Sequence, residues 1–212
     1  MANQQESFIE MLISGAAQLQ VSYGLPGCVI IAQGALETGW GEYVDKDKNT
    51  GKLSYNIFNI KGVGTNGSVL VATTEYINGK YISIDAEFRA YHNYSESVID
   101  YGKLITTAKY PNGTLIYAKG LAVKSNPIAY INAIAPIYAT DPNYITEIVD
   151  IMNEYNLVEE VNKMANDIPD DWAKAAWVAC TNAKVFDGTD PRGELTREML
   201  ATILVNLGLV KE

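Results

Sequence analysis

The stretch from Leu25 to Gly39 constrains the fold of this chain more than any other. Pro26 suits the first turn of a helix, and Val29, Ile30, Ala32, Gln33 and Leu36 follow it with almost no polar face. A helix that is apolar nearly all round must be wrapped by other elements, so it is expected to run through the centre of a domain. Glycine at 39 or 41 ends it. Glu37 falls at its C-terminal end and sets a carboxyl at the edge of a buried helix.

On either side the hydrophobic period is first helical, then extended, then helical again. Ser7-Phe8-Ile9-Glu10 has the form of a capping box, and Phe8, Leu12, Ile13, Ala16 and Leu19 recur at helical spacing as far as Gly24. Residues 42–68 are polar and glycine-rich and read as loop. Val69 and Val71 alternate with polar neighbours, Asn78-Gly79 is a two-residue hairpin turn, and Tyr81, Ile82, Ile84, Phe88 and Tyr91 form the returning strand. Ser95, Asn126-Pro127 and Asp141-Pro142 each open a further helix. The fold class is therefore α+β, mostly helical with a small β-hairpin lobe. Residues 158–163 read as a linker. Beyond it, helices near Asp171–Ala183 and Thr196–Leu207 make a small helix-loop-helix module. The expected division is 1–160 and 165–212.

Composition removes several classes of function. The net charge is −9, with both parts acidic, so the chain offers no basic stripe to phosphates and no attraction to an anionic membrane. Only one histidine is present, and His92 in Tyr91-His92-Asn93-Tyr94 has no ligand pattern beside it. A zinc site or a Ser/Cys–His triad is not expected, nor any metal or organic cofactor. Carboxylates remain as the chemistry. The two cysteines lie far apart, and Cys28 reads as a buried free thiol.

Ala32-Gln33-Gly34-Ala35-Leu36-Glu37-Thr38-Gly39-Trp40-Gly41 resembles the signature of glycoside hydrolase family 73, the lysozyme-like N-acetylglucosaminidases of autolysins, flagellar muramidases and phage lysins. Asn56-Ile57-Phe58-Asn59-Ile60-Lys61-Gly62 resembles a second family segment, with Asn59 where glycine is usual. Thr74-Glu75-Tyr76, Phe88-Arg89-Ala90-Tyr91 and Tyr138-Ala139-Thr140-Asp141-Pro142-Asn143-Tyr144 resemble later ones in order. The C-terminal part resembles a single S-layer homology module, opening at Asp167-Ile168-Pro169-Asp170-Asp171-Trp172-Ala173 and closing at Leu195-Thr196-Arg197-Glu198-Met199-Leu200-Ala201, abbreviated between Asp187 and Glu194.

Cleavage of a glycosidic bond needs a carboxylic acid still protonated near neutral pH, and desolvation at the edge of an apolar helix raises a carboxyl pKa. Spacing alone leaves Glu37 open to a second reading, an exposed glutamate at a helix end. The resemblance implies that it is the general acid. It also implies that Glu75 is the second catalytic carboxylate, unless the substrate's own N-acetyl group acts as nucleophile and Tyr138 or Asp141 orients it. Trp40, Phe58, Tyr76, Tyr91, Tyr138 and Tyr144 are candidate sugar platforms, and Asp141 a candidate substrate contact or cap. Arg89 is expected to be a structural bridge. In the module, Trp172 and Trp177 are expected to pack the two helices together, while the resemblance implies that Arg197 and Trp172 read a secondary wall polysaccharide. Self-association through leftover apolar surface is the alternative.

The resemblance implies a peptidoglycan hydrolase that cuts the bond after N-acetylglucosamine. A muramidase or lytic transglycosylase, or a non-catalytic wall-binding or virion structural protein, are the alternatives. The first residues show neither a positive segment nor an apolar run. The expectation is thus a protein made in the cytoplasm that reaches the wall by holin-type release or from a virion, as phage endolysins do.

Overall fold

The computed structural model describes residues 3–77, 79–139, 141–186 and 188–210, with the main chain alone at 75–77 and 206. The chain divides into two compact units between Ala165 and Asn166.

The first unit is built around α2 (Gly27–Thr38), in which ten of twelve residues are buried. Its wrapping comes from α1 (Gln4–Tyr23), α5 (Pro127–Tyr138) and α6 (Tyr144–Glu154). Phe8, Leu12, Ala16 and Leu19 of α1, Ile131 and Ile134 of α5, and Ile148 and Met152 of α6 join Val29, Ile30 and Ile31 in one core. Each large side chain so buried stabilises the fold by about 1.5–3 kcal/mol. The start of α2 is capped by its neighbour rather than by itself, since Gly27 N donates to Gln20 Oε1 of α1 at 3.2 Å.

Several helix starts differ from the sequence reading, each for a local reason. The box that opens α1 is not Ser7 with Glu10. Asn3 accepts from Glu6 N at 2.8 Å and donates its own N–H to Glu6 Oε2 at 3.0 Å, the same reciprocal pairing one turn earlier. Likewise Asn93, not Ser95, caps α3 (Tyr94–Thr107) by accepting from Glu96 N. Asn126 caps α5 as expected, accepting from Ala129 N at 3.0 Å. A short helix, α4 (Ala118–Ala122), has too few turns for its period to show in the sequence.

The expected linker at 158–163 is instead part of α7 (Leu157–Asn166). Its polar run of Glu159, Glu160, Asn162 and Lys163 faces solvent, while Leu157, Val161 and Ala165 follow at intervals of four and are buried. The stripe is narrow, so composition concealed it.

The lobe is an antiparallel hairpin of β1 (Ser68–Ile77) and β2 (Lys80–Arg89), in register from Ser68↔Arg89 to Ile77↔Lys80. That register leaves the expected two-residue connection; Gly79 has φ 80°, and Asn78 lies outside the described residues. The hairpin is anchored at its base by buried Val69, Phe88 and Ala90, and Tyr81 and Ile82 at the far end are exposed.

In the second unit, α8 (Lys174–Asn182) and α9 (Arg197–Asn206) are joined by an irregular segment. Thr196 caps α9 by accepting from Met199 N. The turn is pinned by polar bonds: Arg192 donates to Ile168 O at 2.6 Å and to Asp170 Oδ1 at 2.8 Å, and Asp190 N donates to Asp167 Oδ1. The expectation that Trp172 and Trp177 pack the two helices together does not hold for Trp172. Trp177 stacks on Phe186 at 4.9 Å, whereas Trp172 precedes the helix and is 88% exposed.

Candidate active site

The sequence from Glu37 to Gly41 works as one piece of geometry. Thr38 is buried and donates its hydroxyl to Gly34 O at 2.6 Å while accepting from Gly41 N at 2.9 Å, which ties the helix end to the chain beyond it. Gly39, Trp40 and Gly41 all take positive φ, at 55°, 61° and 84°. Left-handed backbone costs little at glycine, and a side chain at 41 would also meet the ring of Phe8 at 2.9 Å. Trp40 adopts this conformation because its ring is held edge-on between Phe8 and Tyr155, at centroid distances of 6.1 and 5.0 Å. The structure therefore places Trp40 in aromatic packing at the helix end.

Glu37 is half-buried on the last turn of α2. Tyr144 donates its hydroxyl to Glu37 Oε1 at 3.2 Å. Burial raises the Glu37 pKa, and the Tyr144 hydrogen bond opposes part of that rise. Tyr144 stands at the first position of α6, where Asp141 sets it. Asp141 Oδ1 accepts from Asn143 N at 2.8 Å, and Asp141 O accepts from Tyr144 N at 3.2 Å. Asp141 thus shapes the turn ahead of α6 and is itself exposed.

Tyr138, at the end of α5, completes the cluster, its ring 6.2 Å from Tyr144 and 6.1 Å from Tyr101. Burial and then the charge of Glu37 push the Tyr138 hydroxyl well above the ordinary tyrosine range. Behind these groups lies Gln33, fully buried, which donates Nε2–H to the Tyr144 oxygen at 3.1 Å and accepts from the Tyr101 hydroxyl at 3.4 Å. The sequence reading did not single out Gln33 or Tyr101 as site residues. The signal was present for the first, since it is the one amide in an otherwise apolar helix, one turn before Glu37.

The second motif is a clamp that seats Phe58. Buried Asn56 donates Nδ2–H to Ile60 O at 2.9 Å and accepts from Ile60 N at 3.1 Å, closing the loop on itself. Asn59 lies within that loop at φ 50°. Asparagine tolerates left-handed backbone better than other non-glycine residues, which explains how it stands where glycine is usual. Phe58 is buried and stacks on Tyr101 at 3.9 Å. Its ring face is thereby occupied, and it supports the cluster from beneath.

The remaining candidates fall elsewhere. Tyr91 is fully buried and donates to Asp100 Oδ2 at 2.7 Å, so it is no sugar platform. Arg89 bridges Asp100 and Lys61 O, the structural part expected of it. Glu75 pairs with Ile82 and Tyr76 with Tyr81 toward the far end of the hairpin, and the side chains of Glu75 and Tyr76 lie outside the described residues. Arg197 is exposed at the first turn of α9 in the second unit. Among the described residues, no group of three His, Cys, Asp or Glu is disposed to hold a metal ion.

Comparison with known proteins gives a consistent picture. The family model described as glucosaminidase, mannosyl-glycoprotein endo-beta-N-acetylglucosaminidase, matches residues 14–157. A probable N-acetylmuramidase of Lactococcus lactis subsp. lactis is 37% identical over 162 residues, covering 73% of this chain and 34% of that protein. The peptidoglycan hydrolase FlgJ of Salmonella typhimurium is 32% identical over 162 residues, covering 76% of this chain and 49% of that protein. The chain thus spans between 34% and 49% of the length of these two relatives. Among solved structures, the catalytic domain of an autolysin of Listeria monocytogenes superposes with a TM-score of 0.64 at 30% identity, covering 76% of this chain and 89% of that one. A truncated glycoside hydrolase domain of Salmonella FlgJ does so with a TM-score of 0.56 at 31% identity, covering 72% and 97%.

Proposed function

Because the chain belongs to the glucosaminidase family, with a lysozyme-like α+β fold, we propose that its first unit hydrolyses the glycan strands of peptidoglycan with Glu37 as general acid. The observation that carries this reading is a carboxyl on the last turn of a buried helix whose pKa is raised by desolvation. Such a group holds its proton nearer neutrality than an ordinary glutamate and can deliver it to a departing glycosidic oxygen.

The bond cut is the one following N-acetylglucosamine. Two routes complete the reaction. In one, Glu75 is brought over the cleft with the hairpin and activates water, an inverting arrangement that needs roughly 6.5–9.5 Å between carboxyls. In the other, the substrate's acetamido group attacks, and Tyr138 with Asp141 holds it in place. Half-buried Tyr138 beside Glu37 suits either route as a wall for the sugar ring. The name of the lactococcal relative favours a second reading on the same fold, cleavage after N-acetylmuramic acid.

For the second unit the proposal is contact with a secondary wall polysaccharide through exposed Arg197 and Trp172, as the S-layer homology resemblance implies.

Digestion of purified Gram-positive peptidoglycan, borohydride reduction and mass spectrometry of the terminal sugars test the bond assignment. Reduced N-acetylglucosamine ends are expected. Reduced muramic ends would transfer the assignment to the muramidase reading, and anhydro ends to a lytic transglycosylase.

A further inference from the structure

The four groups Tyr101, Gln33, Tyr144 and Glu37 form a chain of hydrogen bonds, and with the Gln33 amide oriented as it is the chain runs towards Glu37. Tyr101 donates to Gln33 Oε1, which leaves the Gln33 amide N–H to point at the Tyr144 oxygen. A phenol oxygen that accepts from an amide keeps its single O–H for another partner, and that partner is Glu37 Oε1. Gln33 sits one helical turn before Glu37, on the same face of α2, and is fully buried. Burying an amide is costly unless its donors and acceptor are used. Here both ends of the amide are bonded, and both bonds lead to the site.

We propose that Gln33 is a positioning residue of this site: held by Tyr101, its amide fixes the Tyr144 proton on Glu37 Oε1 and leaves Oε2 as the oxygen that carries the proton given to substrate. A carboxylic acid whose proton can rest on either oxygen spends part of its time turned the wrong way. The relay removes that choice without any charge, and it acts on Glu37 only through Tyr144. The groups that bear on Glu37 among the described residues are few. Tyr144 faces it from α6 and Tyr138 from α5, and α1, the other neighbour of α2, contributes apolar Phe8, Leu12 and Ala16.

The assignment rests on Glu37 being the acid, so its test reads the carboxyl directly and activity separately. The Glu37 carboxyl carbon, identified by its loss in Glu37→Gln, is titrated by carbon-13 NMR in the whole chain. Tyr144→Phe removes a bond to the charged form, and the Glu37 titration is expected to move up by about one pH unit. Gln33→Met is expected to move it in the same direction by less, and to add nothing in the Tyr144→Phe background. Tyr101→Phe, which preserves the ring and frees the amide to turn, gives the same direction and stands in if Gln33→Met does not fold. A Glu37 titration unmoved by Gln33→Met in a folded protein, or shifts that add in the double variant, overturn the proposal. Peptidoglycan release by the same samples is read in parallel. A wild type that titrates as expected and releases nothing would refute the hydrolase reading and leave the relay standing.

Discussion

The helices α2 and α8 differ little in length and show what separates the two units. In α2, ten of twelve residues are buried and the polar exceptions Gln33 and Thr38 each both donate and accept a hydrogen bond; in α8, none of the nine is buried. One helix is packed on nearly every side, and a carboxyl on its last turn is held by that packing. The other is held by a stacked pair, Trp177 on Phe186, and by polar turns, and leaves Val178 and Trp172 largely exposed. A catalytic group needs the first kind of support; a surface that meets a polymer or a second copy can do with the second.

Substitutions can break this contrast, the largest effect coming from the core. Ile30→Ala should cost about 2–5 kcal/mol in denaturant unfolding, since its side chain is fully buried among α1, α5 and α6. A cost under 1 kcal/mol would show that α2 is less tightly wrapped than described. Asn3→Ala, which removes the side-chain acceptor for Glu6 N and leaves the backbone N–H of residue 3 to Glu6 Oε2, should cost about 1 kcal/mol. Ser7→Ala, at the position first read as the cap, should be nearly silent. Val178→Ala in α8 should stay within about 0.5 kcal/mol; a larger loss would mean that the second unit has a partner covering it.

The smallest effect concerns pH. Glu37 has a folded pKa raised above its unfolded value, so the stability it allows is fully present below the unfolded value and falls as pH rises through the folded one. Glu37→Gln should therefore match the wild type in thermal stability near pH 4 and become slightly the more stable towards neutrality. A gap that opens in the opposite direction would mean that the Tyr144 bond outweighs desolvation.

How much of this was legible in the sequence follows from where the information lies. The central helix and the hairpin were readable because their periods are local and strong. The position of Glu37 came with them. The capping boxes were misplaced because Asn3 with Glu6 and Ser7 with Glu10 carry the same local signal, and only the start of the helix decides between them. Helix α7 was hidden because three buried residues in ten give a stripe too thin to outweigh its polar composition. The aromatic residues were the hardest. Trp40, Phe58 and Tyr91 are chemically suited to sugars, yet Phe8, Tyr101 and Asp100 occupy them, and those partners lie 32, 43 and 9 positions away in the chain. Tyr144 was named as a platform and found as the donor to Glu37, a role that only the folded chain can assign.

On this reading Glu37 supplies the acid from a frame that does not depend on it. The most direct test is the rate of soluble muropeptide release by the wild type and by Glu37→Gln, with thermal unfolding of both at the same pH. The variant's rate is expected to be lower by about 10²–10⁴-fold, the usual contribution of a positioned general acid, with its unfolding midpoint unchanged or slightly higher. Release by the variant at the wild-type rate, with the fold intact, would contradict this reading.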